Sequence, residues 1–212
     1  MSTIQNNKSS VPSPVSGGKQ QYTITVYAED HIGLLSRICI IFSRRKINID
    51  SLNTSSSEVD GIHRFNILID ETEEVVKKLC KQIEKQVEVL RAFYNTNNEI
   101  VWQELALYKV PTKEVAEKMV VERILRKYGA RVVCVRPDFT VFESTGHTED
   151  TEELVKKLAE YNLVEFVRGA RVAIMKESEG FHKRLKEFEY KEPGEEVIEN
   201  EFLEQGEKIF TM

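Results

Sequence analysis

The chain has 212 residues, of which 41% are hydrophobic and 31% charged, and its formal net charge is −5. At about 150 residues per domain, this length suits one large domain or two small ones, and the composition excludes wholesale disorder, collagen and a coiled-coil rod. Seven glutamates and a single lysine in residues 192–212 account for most of the charge, so the remainder lacks the basic character of a nucleic-acid-binding domain.

The chain opens with a segment that predicts no regular structure. Residues 1–19 are rich in serine, proline and glycine and contain no aromatic residue, which predicts a disordered tail. From Tyr22 to Ala28, apolar residues then occupy every second position, and this alternation predicts a strand. Apolar residues at helical spacing follow from Leu34 to Phe42 and predict a helix.

A hairpin, a second helix and another strand complete a first unit. Strand-like alternation occurs over residues 47–52 and 62–69, on either side of the turn signal Asp60-Gly61. Helical spacing is found over residues 75–83, and residues 87–94 have the composition of a strand. The order strand–helix–strand–strand–helix–strand is that of the ferredoxin-like unit.

The same order repeats, more weakly, after the polar residues 95–99. The predicted elements are a strand at 105–110, a helix opened by Pro111-Thr112, strands at 131–136 and 139–144, a helix at 151–161 and a strand at 163–175. The sequence therefore predicts an α+β fold with two tandem ferredoxin-like domains, at residues 20–95 and 100–178, followed by a charged C-terminal extension at 179–212.

No motif of a catalytic site is present. The sequence contains no G-x-S-x-G, H-E-x-x-H, P-loop or G-x-G-x-x-G pattern. The three cysteines are Cys39, Cys80 and Cys134, an odd number without metal-ligand spacing. We therefore expect core thiols rather than a disulfide framework or a metal site.

The hydropathy pattern predicts no association with a membrane. The longest apolar run, residues 38–42, is far shorter than the roughly 18 residues of a membrane-spanning helix. The N-terminal residues also lack the apolar core of a secretory signal. We therefore expect a cytoplasmic location.

One connection has the features of a ligand site. Residues 29–33 join the first strand to the first helix and place Asp30 and His31 just before a glycine. Gly33 would let a ligand approach the free amides of the first helical turn, whose partial positive charge suits a carboxylate. Alternatively, Asp30 caps the helix and Gly33 relieves a tight turn. All four histidines are expected to be exposed, and only His31 lies in this connection.

Several segments together resemble one known family. The first set is similar to the ACT domain of the small, regulatory subunit of acetohydroxyacid synthase, also called acetolactate synthase. It consists of residues 29–37, Phe42 and residues 47–52, 64–67 and 89–91. Residues 104–110, Arg126 and residues 165–169 resemble the C-terminal domain of the same subunit. The resemblance covers roughly residues 20–178.

The resemblance implies a subunit that performs no chemistry and binds no cofactor of its own. In this family, the small subunit binds a large catalytic subunit, which carries thiamine diphosphate, magnesium and FAD. It raises the activity of that subunit and lets a branched-chain amino acid, usually valine, inhibit it. The pathway is the biosynthesis of valine, leucine and isoleucine.

The resemblance also implies a homodimer whose ACT domains pair side by side. The effector would lie between the loop after the first strand of one chain and the region of the second strand of the other. Amides near Gly33 would bind its carboxylate, and the side chains of Asp30 and Asn48 its ammonium. The family often has asparagine where this chain has Asp30. The implied effector-binding residues are Asp30, Ile32, Gly33, Leu34, Leu35, Asn48 and Ile49.

Two functions of other classes use the same fold. A stand-alone amino-acid-sensing ACT protein would regulate another enzyme or a transcription regulator. An RNA-binding ferredoxin-like module presents several aromatic residues on a basic strand. Residues 61–67, the third predicted strand, contain Phe65 as their one aromatic residue, which argues against RNA binding.

Overall fold

A computed structural model describes residues 18–177. The elements of the first unit are β1 (Gln20–Glu29), α1 (Leu34–Arg44), β2 (Ser51–Ser56), β3 (Ile62–Glu71), α2 (Glu73–Ile83) and β4 (Val89–Thr96). The four strands form one antiparallel sheet in the order β2-β3-β1-β4. This order and the two intervening helices make a ferredoxin-like unit.

The elements of the second unit are β5 (Ile100–Pro111), α3 (Thr112–Glu117), α4 (Met119–Lys127), β6 (Arg131–Val135), β7 (Phe139–Gly146), α5 (Thr148–Ala159), β8 (Glu165–Arg168) and β9 (Val172–Met175). This unit repeats the topology of the first with the strand order β6-β7-β5-β8. The further strand β9 pairs with the first residues of the long strand β5. None of the helices within residues 18–177 combines the length and the hydropathy that a bilayer-crossing helix needs.

Each unit has its own apolar core. In the first, the alternating residues of β1 and the helical stripes of α1 and α2 meet, and Ile24, Ile38 and Leu79 are fully buried. Burying each such side chain contributes about 1.5–3 kcal/mol. In the second, Tyr108 and Leu154 are fully buried, and the Tyr108 hydroxyl donates to the carbonyl of Thr151.

The two units meet around a buried arginine. Arg171, between β8 and β9, is 1% exposed, and its Nη1 donates to Oδ1 of Asn97 at 2.9 Å. Its guanidinium stacks on the Trp102 ring, 3.7 Å from the centroid, and its Nε lies 3.9 Å from Oε1 of Glu104. Burial lowers the pKa of Arg171, and the carboxylates of Glu104, Glu149 and Asp50 oppose that shift.

The second strand begins later than the sequence predicts. It runs over Ser51–Ser56, whereas the sequence predicts a strand over residues 47–52. Ile47 instead closes α1: its amide donates to the carbonyl of Phe42, the amide of Lys46 donates to Ser43, and Lys46 has a φ of 56°. These bonds form a Schellman motif, which ends a helix with one left-handed residue.

Two further elements are interrupted where continuous ones were expected. The helix after Pro111 breaks at Lys118, whose backbone is extended, and the break leaves Met119 exposed while Val121 is buried. The last strand splits at residues 169–171, because three residues there lie opposite two of β5 and form a bulge. This bulge places Arg171 in the interior.

The cysteines and histidines also differ in part from expectation. All three cysteines are free, but only Cys80 is buried, whereas Cys39 and Cys134 are partly exposed. His31 and His147 are exposed and His63 is partly buried. His182, the predicted N-terminal tail up to residue 17 and the C-terminal extension lie outside the described residues.

Candidate functional site

A cleft of about 210 Å³ lies at the end of the first sheet, beside the connection from β1 to α1. Parts of three strands and the first turn of α1 form its walls. The volume is below that of typical pockets for drug-sized ligands, so it suits a molecule the size of an amino acid. The lining residues are Glu29, Asp30, His31, Gly33, Leu34, Leu35, Thr54, His63 and Phe65.

The start of α1 has no side-chain cap. Gly33 is the N-cap residue, and its φ of +86° lies in the left-handed region that glycine adopts without steric cost. No side chain caps the helix, and its first turn contains no acidic residue. The alternative in which Asp30 caps the helix is therefore wrong, and the positive end of the helix dipole faces no fixed anion of its first turn.

Backbone hydrogen bonds hold the connection from two sides. The amide of Asp30 donates to the carbonyl of Gly61 at 2.8 Å, and the amide of Glu29 donates to the carbonyl of Glu88 at 2.9 Å. Nη2 of Arg37, on α1, lies 2.6 Å from Oε1 of Glu88. The β1–α1 connection is thus tied to the turn before β3 and to the residues before β4.

The cleft combines polar and apolar walls. Oδ2 of Asp30 lies 3.5 Å from Nε2 of His63, which is on β3. Leu34 and Phe65 are buried, and Leu35 is exposed beside them. A helix N-terminus can bind the carboxylate of an α-amino acid, and the aliphatic and aromatic side chains beside it can contact an apolar ligand side chain.

Four of the seven predicted site residues line this cleft. They are Asp30, Gly33, Leu34 and Leu35. Ile32 belongs to the same connection, but its side chain is 98% exposed and points away from the protein interior.

The other two predicted residues lie elsewhere in the same chain. Asn48 is exposed, and its Nδ2 donates to Oδ1 of Asp50 at 3.3 Å. Ile49 packs against the first core. Both precede the start of β2, whereas Thr54, towards the end of β2, lines the cleft. One chain therefore does not bring the two parts of the predicted site together in one cleft.

Sequence reasoning did not include the residues that β2 and β3 add to the cleft. Thr54 and Phe65 pair with each other across β2 and β3, and His63 pairs with Ala28 at the end of β1. The antiparallel pairing of the predicted strands is the feature from which these residues can be inferred, because it brings the start of β3 back beside the end of β1. Within residues 18–177, no group of three His, Cys, Asp or Glu residues could hold a metal ion.

Comparisons with known proteins agree on one family. The family model "AHAS small subunit-like ACT domain" matches residues 24–91, and the family model "Small subunit of acetolactate synthase" matches residues 103–177. The acetolactate synthase small subunit of Bacillus subtilis is 33% identical over 151 residues, which are 71% of this chain and 87% of that protein. The chain belongs to the acetolactate synthase small subunit family.

Other members of the small subunit family have similar coverage. The acetolactate synthase small subunit of Mycolicibacterium smegmatis is 28% identical over 78% of this chain and 97% of its own length. The crystal structure of the small subunit from Thermotoga maritima has a TM-score of 0.68 and 22% identity, over 75% of this chain and 99% of that one. The structural likeness supports the two-unit α+β fold, and the cleft lies in the part that matches the family's ACT domain.

Proposed function

We propose that this chain is the non-catalytic regulatory subunit of an acetolactate synthase. It activates the large catalytic subunit, and a branched-chain amino acid bound to its ACT domain, valine first, inhibits the assembled enzyme. Membership of the small subunit family supports the assignment. The observation that carries the effector proposal is the cleft at the uncapped start of α1.

The proposed binding mode assigns one group to each part of the ligand. The amides of the first turn of α1 bind the carboxylate, helped by the partial positive charge of the helix terminus. Leu34, Leu35 and Phe65 surround the branched side chain. Amide and carboxylate side chains such as that of Asn48 accept hydrogen bonds from the ammonium.

A second copy of the chain completes this site in the proposal. Asn48 and Ile49 lie just before β2, and β2 is an edge strand of the first sheet. An edge strand has unpaired backbone groups that a second copy can cover. Side-by-side pairing of two ACT domains brings Asn48 of one copy towards the cleft of the other, so the effector site and the homodimer depend on each other.

The cofactors of the reaction belong to the catalytic partner in this proposal. Thiamine diphosphate, magnesium and FAD bind to the large subunit, and this chain carries none of them. Its contribution to catalysis is indirect, through the coupling free energy between its own site and the active site of the partner.

Co-purification tests the assignment. A tagged form of the full chain, co-expressed with the thiamine-diphosphate-dependent acetolactate synthase of the same organism, is expected to retain that enzyme and to form no acetolactate by itself. Sedimentation of the purified chain is expected to give about 49 kDa, twice the 24.5 kDa of one copy. Failure to retain the enzyme, with retention of a different enzyme or a transcription regulator, would favour a stand-alone ACT protein.

A further inference from the structure

A carboxylate–imidazole contact joins two walls of the cleft. Oδ2 of Asp30 is 3.5 Å from Nε2 of His63, and both residues line the cleft. The amide of Asp30 also donates to the carbonyl of Gly61, in the turn before β3. Asp30 is therefore held towards β3 through its backbone and its side chain, while α1 begins without a side-chain cap.

This contact bears on the charge that a ligand would meet at the start of α1. A carboxylate close to a helix N-terminus is attracted by the helix dipole and competes there with an anionic ligand. An ionised Asp30 also repels the ligand's carboxylate directly. A positive charge on His63 offsets this repulsion and favours the orientation of Asp30 towards β3.

We propose that His63 is a positioning residue of the effector site, which makes binding of an α-amino acid stronger when its imidazole is protonated. This inference rests on the proposed function and adds a residue and a pH dependence to it. With His63 neutral, Asp30 keeps an unbalanced negative charge beside the carboxylate site. With His63 protonated, the pair is neutral overall and the start of α1 is open to the effector.

Other titratable groups, including the imidazole of His31, lie on the elements next to His63. The pKa of the Glu88 carboxyl lies below its usual range, because the carboxyl accepts a hydrogen bond from the Glu88 backbone and lies beside the Arg37 guanidinium. Besides Glu88, which precedes β4, the charged and titratable residues on the elements next to His63 are Glu29, Asp30 and His31 on β1 and the following connection, Glu58 and Asp60 before β3, and Arg64 on β3, where Arg64 pairs with Glu58, while β2 contributes the uncharged Thr54 and Ser56.

Calorimetric titration of the full chain with L-valine at several pH values tests the inference. Between about pH 8 and pH 6, the affinity of the unmodified chain is expected to rise about three- to ten-fold, as expected for one charge in a partly exposed cleft. His63→Gln is expected to bind at the weaker level at every pH. Asp30→Asn is expected to bind valine more strongly than the unmodified chain at pH 8, because it lacks the carboxylate that repels the ligand.

His31→Gln is the matched control, because His31 lines the same cleft but is not paired with Asp30. It is expected to keep the pH dependence. An affinity that falls towards pH 6, or weaker binding by Asp30→Asn, would mean that Asp30 binds the ammonium and would overturn the inference. An unchanged pH profile in His63→Gln would also overturn the inference.

A second probe separates this inference from the proposed function. 3-Methylbutanoate has the carboxylate and the isopropyl group of valine but no ammonium, and its affinity is expected to show the same rise towards pH 6. If neither the unmodified chain nor Asp30→Asn binds valine, leucine or isoleucine at any pH, the effector part of the proposed function fails and the inference falls with it. Binding without the predicted pH dependence contradicts only the inference.

Discussion

Gly33 is the residue on which the geometry of the cleft depends most directly. Its φ of +86° disfavours any residue with a Cβ, and Gly33→Val is expected to lower the free energy of unfolding by about 1–2 kcal/mol through backbone strain. A Cβ at this position meets no heavy atom within 4 Å, so the cost comes from the backbone and not from a steric clash inside the chain. Valine affinity is also expected to fall, because the side chain and the strained backbone alter the start of α1. Urea unfolding and calorimetry measure the two effects.

Gly129 provides a matched control for this substitution. It has a φ of +62° and equally open surroundings, but it follows α4 in the second unit. Gly129→Val is expected to cost a similar free energy of unfolding and to leave valine affinity unchanged. Equal losses of valine affinity in both variants would show that general destabilisation, and not the cleft, determines ligand binding.

Cys80 is expected to differ in reactivity from the other two cysteines. Burial, with a smaller contribution from Glu84, raises the pKa of its thiol to about 12. At pH 8 the thiol is therefore protonated, and the thiolate is the reactive form. Mass spectrometry after treatment with iodoacetamide at about pH 8 should show modification of Cys39 and Cys134, and of Cys80 only after unfolding. Rapid modification of Cys80 in the folded chain would contradict its burial.

At the scale of single elements, α1 offers a direct test of the first core. Ile38 is fully buried, whereas Ile40, two positions along the same helix, is 47% exposed. Ile38→Ala is expected to lower the free energy of unfolding by about 2–5 kcal/mol, since it removes buried methyl groups and leaves a cavity. Ile40→Ala makes the same chemical change and is expected to cost less than about 1 kcal/mol. Similar losses in the two variants would mean that the helix faces are assigned wrongly.

The order of elements could be predicted because it follows from hydrophobic periodicity, which is a local property of the sequence. The differences arise where a neighbouring element decides the outcome. Ile47 alternates with Ile49 like a strand residue, but the left-handed Lys46 makes Ile47 part of a helix end. The bulge at residues 169–171 depends on the register with β5. Neither feature has a local signal that distinguishes it from a continuous strand.

The candidate site could be predicted only in its local part. Asp30, Gly33, Leu34 and Leu35 are neighbours in the sequence, and a glycine before a helix is a signal that can be recognised. His63 is about 30 positions away and reaches the cleft through the pairing of β3 with β1. The effector role of all seven predicted residues stays a prediction, and the substitutions at Asp30, Gly33 and Asn48 test three of them.

At the scale of the whole molecule, Arg171 links the two units. Arg171→Met is expected to lower the free energy of unfolding by about 2–4 kcal/mol, because it removes the hydrogen bond to Asn97 and a positive charge beside the buried Glu104. Arg126→Met is the control, since Arg126 is exposed and pairs with Glu122 one turn away in α4. The control is expected to cost less than about 1 kcal/mol. Equal stability of Arg171→Met and the unmodified chain would contradict a structural role at this junction.

The central claim concerns the effect of the chain on another protein. The most direct measurement is acetolactate formation by the catalytic subunit of the same organism, with and without the full chain, over a range of valine concentrations. The chain is expected to raise the rate, and valine is expected to lower it again only when the chain is present. Asn48→Ala is expected to keep the activation but to require about five- to a hundred-fold more valine for inhibition, as the loss of one or two hydrogen bonds predicts. A rate that the unmodified chain neither raises nor makes sensitive to valine, leucine or isoleucine would contradict the account.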